Sequence, residues 1–230
     1  MSTIKLFADA IETEVTSWPF IERWGGGAFP VTTEKAFKAR NGDTIKESST
    51  VPISCEQAPD CTPGSADYYS KLLPNSNYIS VAYLEARSDL SPTSFKSQSD
   101  ASASRSGRVI YLQQQARLAV WLNLQKLGAT ALDCGGVSVM ALYALKRLYG
   151  KRFQITPDWS SEALQVDITD ATLLPNDPNQ VFQPYSYAVN QRIFLNPYGF
   201  FGLSLTFRLA VPAACVCLPE YTPLNCITQW

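Results

Sequence analysis

Histidine is absent from this chain of 230 residues, which carries 19 basic and 20 acidic side chains. The absence excludes every Ser–His–Asp or Cys–His catalytic mechanism and every histidine metal ligand. Charged residues are also scarce, at 17% against about 25% in an average soluble domain. Because large assembly interfaces are depleted in charge at their cores, this scarcity indicates a surface that is partly covered in use.

The near-balance of charge excludes another class of protein. A formal net charge of −1 argues against a protein that grips nucleic acid mainly through phosphates, which requires a clustered positive face. Hydrophobic residues make up 46% of the chain and aromatic residues 12%, so a sizeable core is expected and whole-chain disorder is excluded. The length is that of one large domain or two small ones.

Sequence motifs for catalysis are missing as well. There is no G-x-S-x-G, Walker A or G-x-G-x-x-G spacing. The carboxylates are scattered, and Asp167 and Asp170 would point to opposite faces of a strand that continued through residue 170. Cys134 lies near a predicted helix start, where a thiol pKa can fall, but it lacks the usual histidine base. We therefore expect no enzyme, no cofactor and no metal site.

The cysteines leave one alternative open. The chain has six of them, at Cys55, Cys61, Cys134, Cys215, Cys217 and Cys226. Three disulfides would suit an extracellular β-rich binding or adhesion module, but a chain of this size does not need such staples, and the spacings are unusual for zinc. The amino terminus lacks the pattern of a secretory signal, so reduced thiols in an intracellular product are expected.

Two segments have the pattern of a helix. Residues 3–15 place apolar side chains at helical spacing, and Trp18-Pro19 ends the pattern. Residues 137–149 are apolar on most sides, and Gly150 is a natural residue to follow a helix. A helix this apolar is expected to lie against a sheet or between partners.

Four strands are predicted. Alternation indicates strands at 108–124, 162–169 and 201–211, and a β-rich composition bounded by turn residues indicates one at 78–86. For 108–124, good helix formers such as Gln, Ala and Leu favour a helix instead, whereas the alternation favours a strand. The 200–219 stretch is long enough to span a membrane, but Arg208, Pro212 and the alternation argue against it. The predicted fold class is α+β, an antiparallel or mixed sheet of about four long strands with flanking helices.

The remaining segments are predicted to be turns and loops. Trp24 and the three glycines after it are interpreted as a flexible turn. Asn41-Gly42 predicts a hairpin over 35–47, with so thin an apolar face that it should project as an arm. Residues 51–65, the serine-rich stretch 88–107 and residues 171–186 are interpreted as loops.

Three stretches of sequence resemble a family of viral structural proteins. They are YYSKLLPNSNYISVAYLEA at 68–86, ARLAVWLNLQKL at 116–127 and FQPYSYAVNQRIFLNPYGFFGLSLTFRLAV at 182–211. The chain resembles the neck or head-to-tail connector ring proteins of tailed bacteriophages, with a tail-terminator-like fold. It is similar in particular to the ring proteins at the portal-to-tail junction of crAss-like phages.

The resemblance implies a structural role in the virion. It implies one connector domain over 1–230, with the 35–47 arm and the 88–107 loop as elaborations. Six or twelve copies would form a ring around double-stranded DNA, without sequence-specific contact, and would join portal, ring or tail proteins. No catalytic residue and no membrane partner is implied. The resemblance also implies that the chain is located in the host cytoplasm during assembly.

Eight residues are predicted to lie at interfaces. For the basic residues, a solvated arm or sheet face is the alternative explanation. The predicted residues are Lys35, Lys38, Arg40, Phe95, Arg117, Tyr198, Phe200 and Arg208.

Overall fold

A computed structural model describes residues 3–38, 44–54, 72–97, 108–128, 136–157, 163–189 and 191–212. The six cysteines, the Asn41-Gly42 turn and the tail after Pro212 all lie outside these ranges. The elements in chain order are α1 (Thr3–Thr16), β1 (Arg23–Lys38), β2 (Thr44–Ser54), β3 (Ser80–Ala86), β4 (Ser91–Ser97), β5 (Arg108–Asn123), α2 (Leu124–Leu127), α3 (Gly136–Leu148), β6 (Arg152–Ile155), β7 (Leu164–Leu173), α4 (Pro178–Val181), two 3₁₀ turns (Ser186–Val189 and Gln191–Phe194) and β8 (Tyr198–Pro212).

The strands form one mixed sheet, and this corrects the predicted fold class. Seven strands follow the order β2-β1-β3-β5-β8-β7-β6, and β4 pairs with β5 as the eighth. Among the strand pairs that the described residues form, only β1–β3 is parallel. The expectation of about four long strands with flanking helices is wrong, because β1, β2, β4 and β6 lack the alternation or the β-rich composition from which the four were predicted.

The glycine run after Trp24 lies inside β1 and is not the flexible turn that we predicted. A bulge between Trp24 and Gly27 shifts the β1–β3 register, and Gly26 takes a positive φ of 65° there. At Gly27 an added Cβ would lie 3.1 Å from backbone atoms of α1. The glycines therefore let the strand bulge and let the helix approach its backbone.

The serine-rich stretch is also not simply a loop. Ser91–Ser97 forms β4 and pairs with the outer half of β5. Four of its seven residues are Ser or Thr, so the stretch lacks the apolar alternation that marks a half-buried strand. Pairing with β5 supplies the backbone hydrogen bonds that its composition does not predict.

The long predicted strands and helices are confirmed. The alternating segment 108–124 is β5, which settles the choice between helix and strand, and the last strand is β8. Both helices lie within about one residue of their predicted limits, and Gly150 has a positive φ of 67° just after α3. Apolar periodicity succeeded in these segments because each one buries a continuous row of side chains.

The sheet has two faces with different coverings. On the first, which we call the helix face, α1 and α3 pack over β3, β5, β8 and β7, and Phe7 stacks on Phe207 with ring centroids 4.7 Å apart. The other is the strap face. One half of it is covered by the strap, the segment 174–197 between β7 and β8, which was predicted as a loop up to residue 186.

No helix among the described residues is long and apolar enough to cross a membrane. The 200–212 part of the apolar stretch belongs to β8, where buried residues alternate with half-buried ones. This agrees with the prediction of a strand there.

Candidate functional site

The structure does not bring the eight predicted interface residues together at one place. Lys35 and Lys38 lie in β1, in the part of the β1–β2 hairpin that runs past the rest of the sheet. Phe95 lies in β4 opposite Ile110. Arg40 lies outside the described residues. Nothing in the structure tests these four as contacts, so they stay predictions.

Arg117 is not available to a partner, which corrects its assignment to an interface. Its side chain is 1% exposed and is paired with Glu85, the residue directly opposite it across β3 and β5. The guanidinium also donates to the carbonyl oxygens of Gln180, at 2.8 Å, and Gln183. Arg117 therefore holds the strap onto the sheet, because both of its terminal nitrogens donate to strap carbonyls.

A tyrosine cluster surrounds this ion pair. The hydroxyls of Tyr83 and Tyr187 are 2.6 Å apart, and Tyr185 stacks on Tyr187 with ring centroids 5.6 Å apart. Burial raises the pKa of all three tyrosines. Burial also raises the pKa of Glu85, although the Arg117 charge opposes that rise. The site is thus apolar enough to disfavour a carboxylate even beside its counter-ion.

Tyr198 and Phe200 are anchors within the chain. Phe200 is buried, with its ring 5.0 Å from Phe194 and 5.7 Å from Phe182 in the strap. Tyr198 is half-buried and stacks on Trp121 at 5.2 Å. Phe200 is consequently inaccessible to a neighbour, and the prediction of an interface role for it is wrong: the strap already covers that end of β8.

The uncovered half of the strap face carries the second charged cluster. Asp167 of β7 lies directly opposite Arg208 of β8 on one side and Arg152 of β6 on the other. Its carboxylate accepts from Arg208 Nη2 at 2.7 Å, from Arg152 Nε at 3.0 Å and from Gln165 Nε2 at 2.9 Å. Arg208 also lies 5.2 Å from the centre of the Tyr111 ring.

The cluster has an excess of positive charge. Burial alone would raise the pKa of Asp167, but hydrogen bonds from Arg208, Gln165 and Arg152 outweigh it and hold that pKa below its ordinary value. Two guanidinium groups, 41% and 67% exposed, share this one carboxylate. Arg208 is therefore held in position by Asp167 and is partly exposed, and its predicted interface role stays a prediction.

A strand bulge also overturns the predicted geometry of Asp167 and Asp170. The β7–β8 register shifts between Ile168 and Asp170, so that Asp167 lies opposite Arg208 and Asp170 opposite Thr206. Residues two apart on β8 share a face, and both carboxylates therefore lie on the strap face. The expectation of opposite faces is wrong because it assumed an unbroken strand.

Sequence reasoning missed Glu85, although a signal was there. Glu85 is the one charge in residues 72–86, and Arg117 is the one charge in residues 109–125. Two lone opposite charges in two apolar strands are typical of a buried pair, because a buried charge without a partner is costly. Which strands are neighbours had to be known before the pair could be assigned.

Among the described residues, no group of three or more Cys, Asp or Glu side chains is arranged to hold a metal ion. The possible disulfides concern cysteines that all lie outside the described ranges. No protein-family model matches the chain, and no curated protein matches its sequence significantly. The resemblance to connector proteins therefore enters below only as a proposal.

Proposed function

We propose that this chain is a structural subunit of the neck of a tailed bacteriophage. In this role it forms a six- or twelve-fold ring around the DNA channel and joins portal, ring or tail proteins. It acts without catalysis, cofactor or membrane, and without sequence-specific contact to DNA. The finished ring belongs to the virion, and the chain reaches it from the host cytoplasm.

The observation that carries the proposal is the projecting part of the β1–β2 hairpin. β1 pairs with β3 only up to Ala28, whereas its pairing with β2 continues to Lys38 opposite Thr44. A hydrogen bond from Thr50 N to Ser186 Oγ, at 2.7 Å, joins this ribbon to the strap. From Thr33 opposite Ser49 to Lys38 opposite Thr44 the two strands form a ribbon, residues 33–38 and 44–49, which we call the arm.

The arm is the kind of element that needs a partner. Six residue pairs at about 3.4 Å each give it a length of about 20 Å. An isolated two-stranded ribbon is marginally stable in water, so contact with another molecule would stabilise it. An arm that reaches a neighbouring subunit or ring supplies that contact, as the resemblance implies for this segment.

The position of the resembling segments gives further support. The stretch 68–86 contains β3, 116–127 contains the inner part of β5, and 182–211 contains the end of the strap and most of β8. These three strands are consecutive neighbours in the middle of the sheet. The resemblance thus falls on one contiguous unit of the fold.

The proposal is tested by native mass spectrometry of the purified chain, alone and co-expressed with the portal protein of the same phage. The expected result is a closed oligomer, or one that forms only with the portal, and the chain should be found in purified virions. A chain that stays monomeric with the portal and is absent from virions would overturn the proposal.

A variant without the arm sharpens the test. Residues 33–49 would be replaced by a two-residue Asn-Gly turn that joins Thr32 to Thr50, which face each other in the hairpin. We expect an unchanged far-ultraviolet spectrum for the remaining sheet and loss of assembly with the portal or ring. Assembly at wild-type levels would show that the arm is not a contact. The matched control replaces two exposed residues outside the arm, Glu12 and Thr13 of α1, by alanine, and it should assemble like the wild type.

A further inference from the structure

The uncovered half of the strap face includes three rows of side chains. Residues directly opposite one another on neighbouring strands share a face of the sheet. The middle row runs across β6, β7, β8 and β5 and consists of Arg152, Asp167, Arg208 and Gln113. The next residues on the same face form a row on either side. One of these rows holds Gln154, Gln165, Ala210 and Tyr111, and the other, nearer the strap, holds Asp170, Thr206 and Gln115.

The composition of the three rows differs from that of a protein–protein interface. Ala210 is their one aliphatic residue, whereas the core of an interface between proteins is apolar. Arginine, glutamine, threonine and tyrosine are side chains with which proteins contact the phosphates and sugars of nucleic acids. Interfaces with DNA are also more polar than interfaces between proteins. The rows therefore have the composition of a surface that meets a nucleic-acid backbone.

Both arginines of the middle row keep unused donors. Arg152 Nε donates to Asp167 at 3.0 Å, and Arg208 Nη2 donates to the same carboxylate at 2.7 Å. The two terminal nitrogens of Arg152 and Nη1 of Arg208 have no acceptor within the described part of the chain. A guanidinium group offers a planar fork of donors that matches the oxygens of a phosphate. Asp167 thus holds two such groups in place while donors remain for a ligand.

The net charge of this surface is positive but small. Lys151 is exposed just before β6 and next to Arg152 in the chain. The three cations Lys151, Arg152 and Arg208 face two carboxylates, those of Asp167 and Asp170. An excess of one positive charge suits a weak contact with a few phosphates and not a tight grip. A weak contact is sufficient in a ring, because six or twelve copies repeat it around one duplex.

We propose that the middle row contacts phosphate groups of double-stranded DNA through Arg152 and Arg208. This inference rests on the proposed function, in which a ring surrounds DNA, and it assigns the surface of each subunit that faces the channel. Asp167 is a positioning residue for both arginines. The contact does not distinguish base sequences, because phosphate groups carry no sequence information directly.

Two arginines of nearly equal exposure give a matched test. Arg208 pairs with Asp167 on the strap face and is 41% exposed, whereas Arg147 pairs with Glu14 on the helix face and is 42% exposed. Arg208→Gln should weaken the binding of a linear DNA duplex roughly tenfold at about 50 mM salt, because one phosphate contact is lost. Arg147→Gln should bind the duplex like the wild type. Fluorescence anisotropy measures both variants in the oligomeric state that native mass spectrometry finds.

The salt dependence of binding gives an independent readout. The slope of log K against the logarithm of the salt concentration should fall by about 1 in Arg208→Gln and by about 2 when Arg152→Gln is added. Asp170→Asn should bind the duplex more tightly, because it removes a carboxylate from the neighbouring row. Circular dichroism should show all of these variants folded like the wild type.

The outcomes separate this inference from the ring. Equal weakening by Arg208→Gln and Arg147→Gln, unchanged slopes, or a wild-type chain that does not bind the duplex at low salt would overturn the inference and leave the ring standing. A double variant that binds DNA normally but no longer assembles with the portal would also overturn it, because the middle row would then contact a protein. A chain that binds DNA through these arginines, stays monomeric with the portal and is absent from virions would support the contact and overturn the ring.

Discussion

The strap face of the sheet carries two arginine–carboxylate clusters that differ mainly in the burial of the arginine. The side chains of Glu85 and Asp167 are 5% and 7% exposed, whereas those of Arg117 and Arg208 are 1% and 41% exposed. Both clusters join residues directly opposite each other on neighbouring strands, Glu85 with Arg117 and Asp167 with Arg208. Under the strap the pKa of Glu85 is raised, whereas on the uncovered half the pKa of Asp167 is lowered. The same chemistry thus gives opposite shifts, because desolvation exceeds the attraction of the counter-ion in one place and not in the other.

The difference separates a structural role from a surface role. The two terminal nitrogens of Arg117 donate to the Glu85 carboxylate and to two strap carbonyls, so Arg117 holds two parts of one chain together. Arg208 stays 41% exposed while Asp167 fixes its direction. A charge in a strand is therefore available to a partner only where no other segment of the chain covers it.

The largest effect is expected from removing the buried cation. Arg117→Met should lower the free energy of unfolding by about 3–5 kcal/mol, because it leaves a buried carboxylate and two carbonyl groups without a donor. Urea denaturation of this variant beside Arg208→Met measures the difference. Arg208→Met should lower the free energy of unfolding by no more than about 1 kcal/mol, because Arg208 is partly exposed. Similar losses in the two variants would mean that burial does not distinguish the clusters.

A smaller effect is expected from Glu85→Gln, about 1–3 kcal/mol at neutral pH, since glutamine resembles the protonated acid that the site favours. The raised pKa of Glu85 also predicts how the free energy of unfolding depends on pH. In the wild type, the folded state binds more protons than the unfolded state above pH 4.5, so stability falls as pH rises through the raised pKa. Denaturation across that range should show this slope in the wild type and lose it in the variant. A slope that persists would assign the proton to another group.

The smallest effect is expected at the exposed cluster. Asp167→Asn should cost about 0.5–1 kcal/mol at neutral pH and low salt, and less at high salt, because its partners are largely in water. The lowered pKa means that this stabilisation is present above pH 3.8 and is lost as pH falls through the folded-state value.

Asp170→Asn is the control for this exposed cluster, since Asp170 is an exposed carboxylate three residues further along the same strand. Its substitution should change stability by no more than about 0.5 kcal/mol. An equal loss from both aspartates would show that the paired arginines contribute nothing.

Much of the fold could be predicted from local pattern. The 108–124 and 201–211 segments alternate over more than ten residues, and α1 and α3 have helical spacing, because each buries one continuous row of side chains. β4 and β6 were missed. β4 is polar and β6 is four residues long, and both are strands because a longer neighbour supplies their hydrogen bonds.

The interface residues were predicted less accurately than the strands and helices, because their burial depends on segments that are distant in the sequence. Arg117 and Arg208 occupy the same face of neighbouring strands, and periodicity does not tell them apart. The strap covers one and leaves the other exposed, and a segment without repeating pattern gives no sign of where it will lie. Phe200 was misassigned to an interface for the same reason, because its covering residues come from the strap.

The sequence by itself determined the absence of histidine chemistry, the long strands, the two main helices and the presence of a projecting hairpin. These follow from composition and from repeats within a single segment. Only the tertiary structure decided the strand order, the bulges that place Asp167 and Asp170 on one face, and the burial of Arg117. The physical reason is that burial and ion pairing depend on which distant segments meet, and one segment's pattern holds no information about its neighbour.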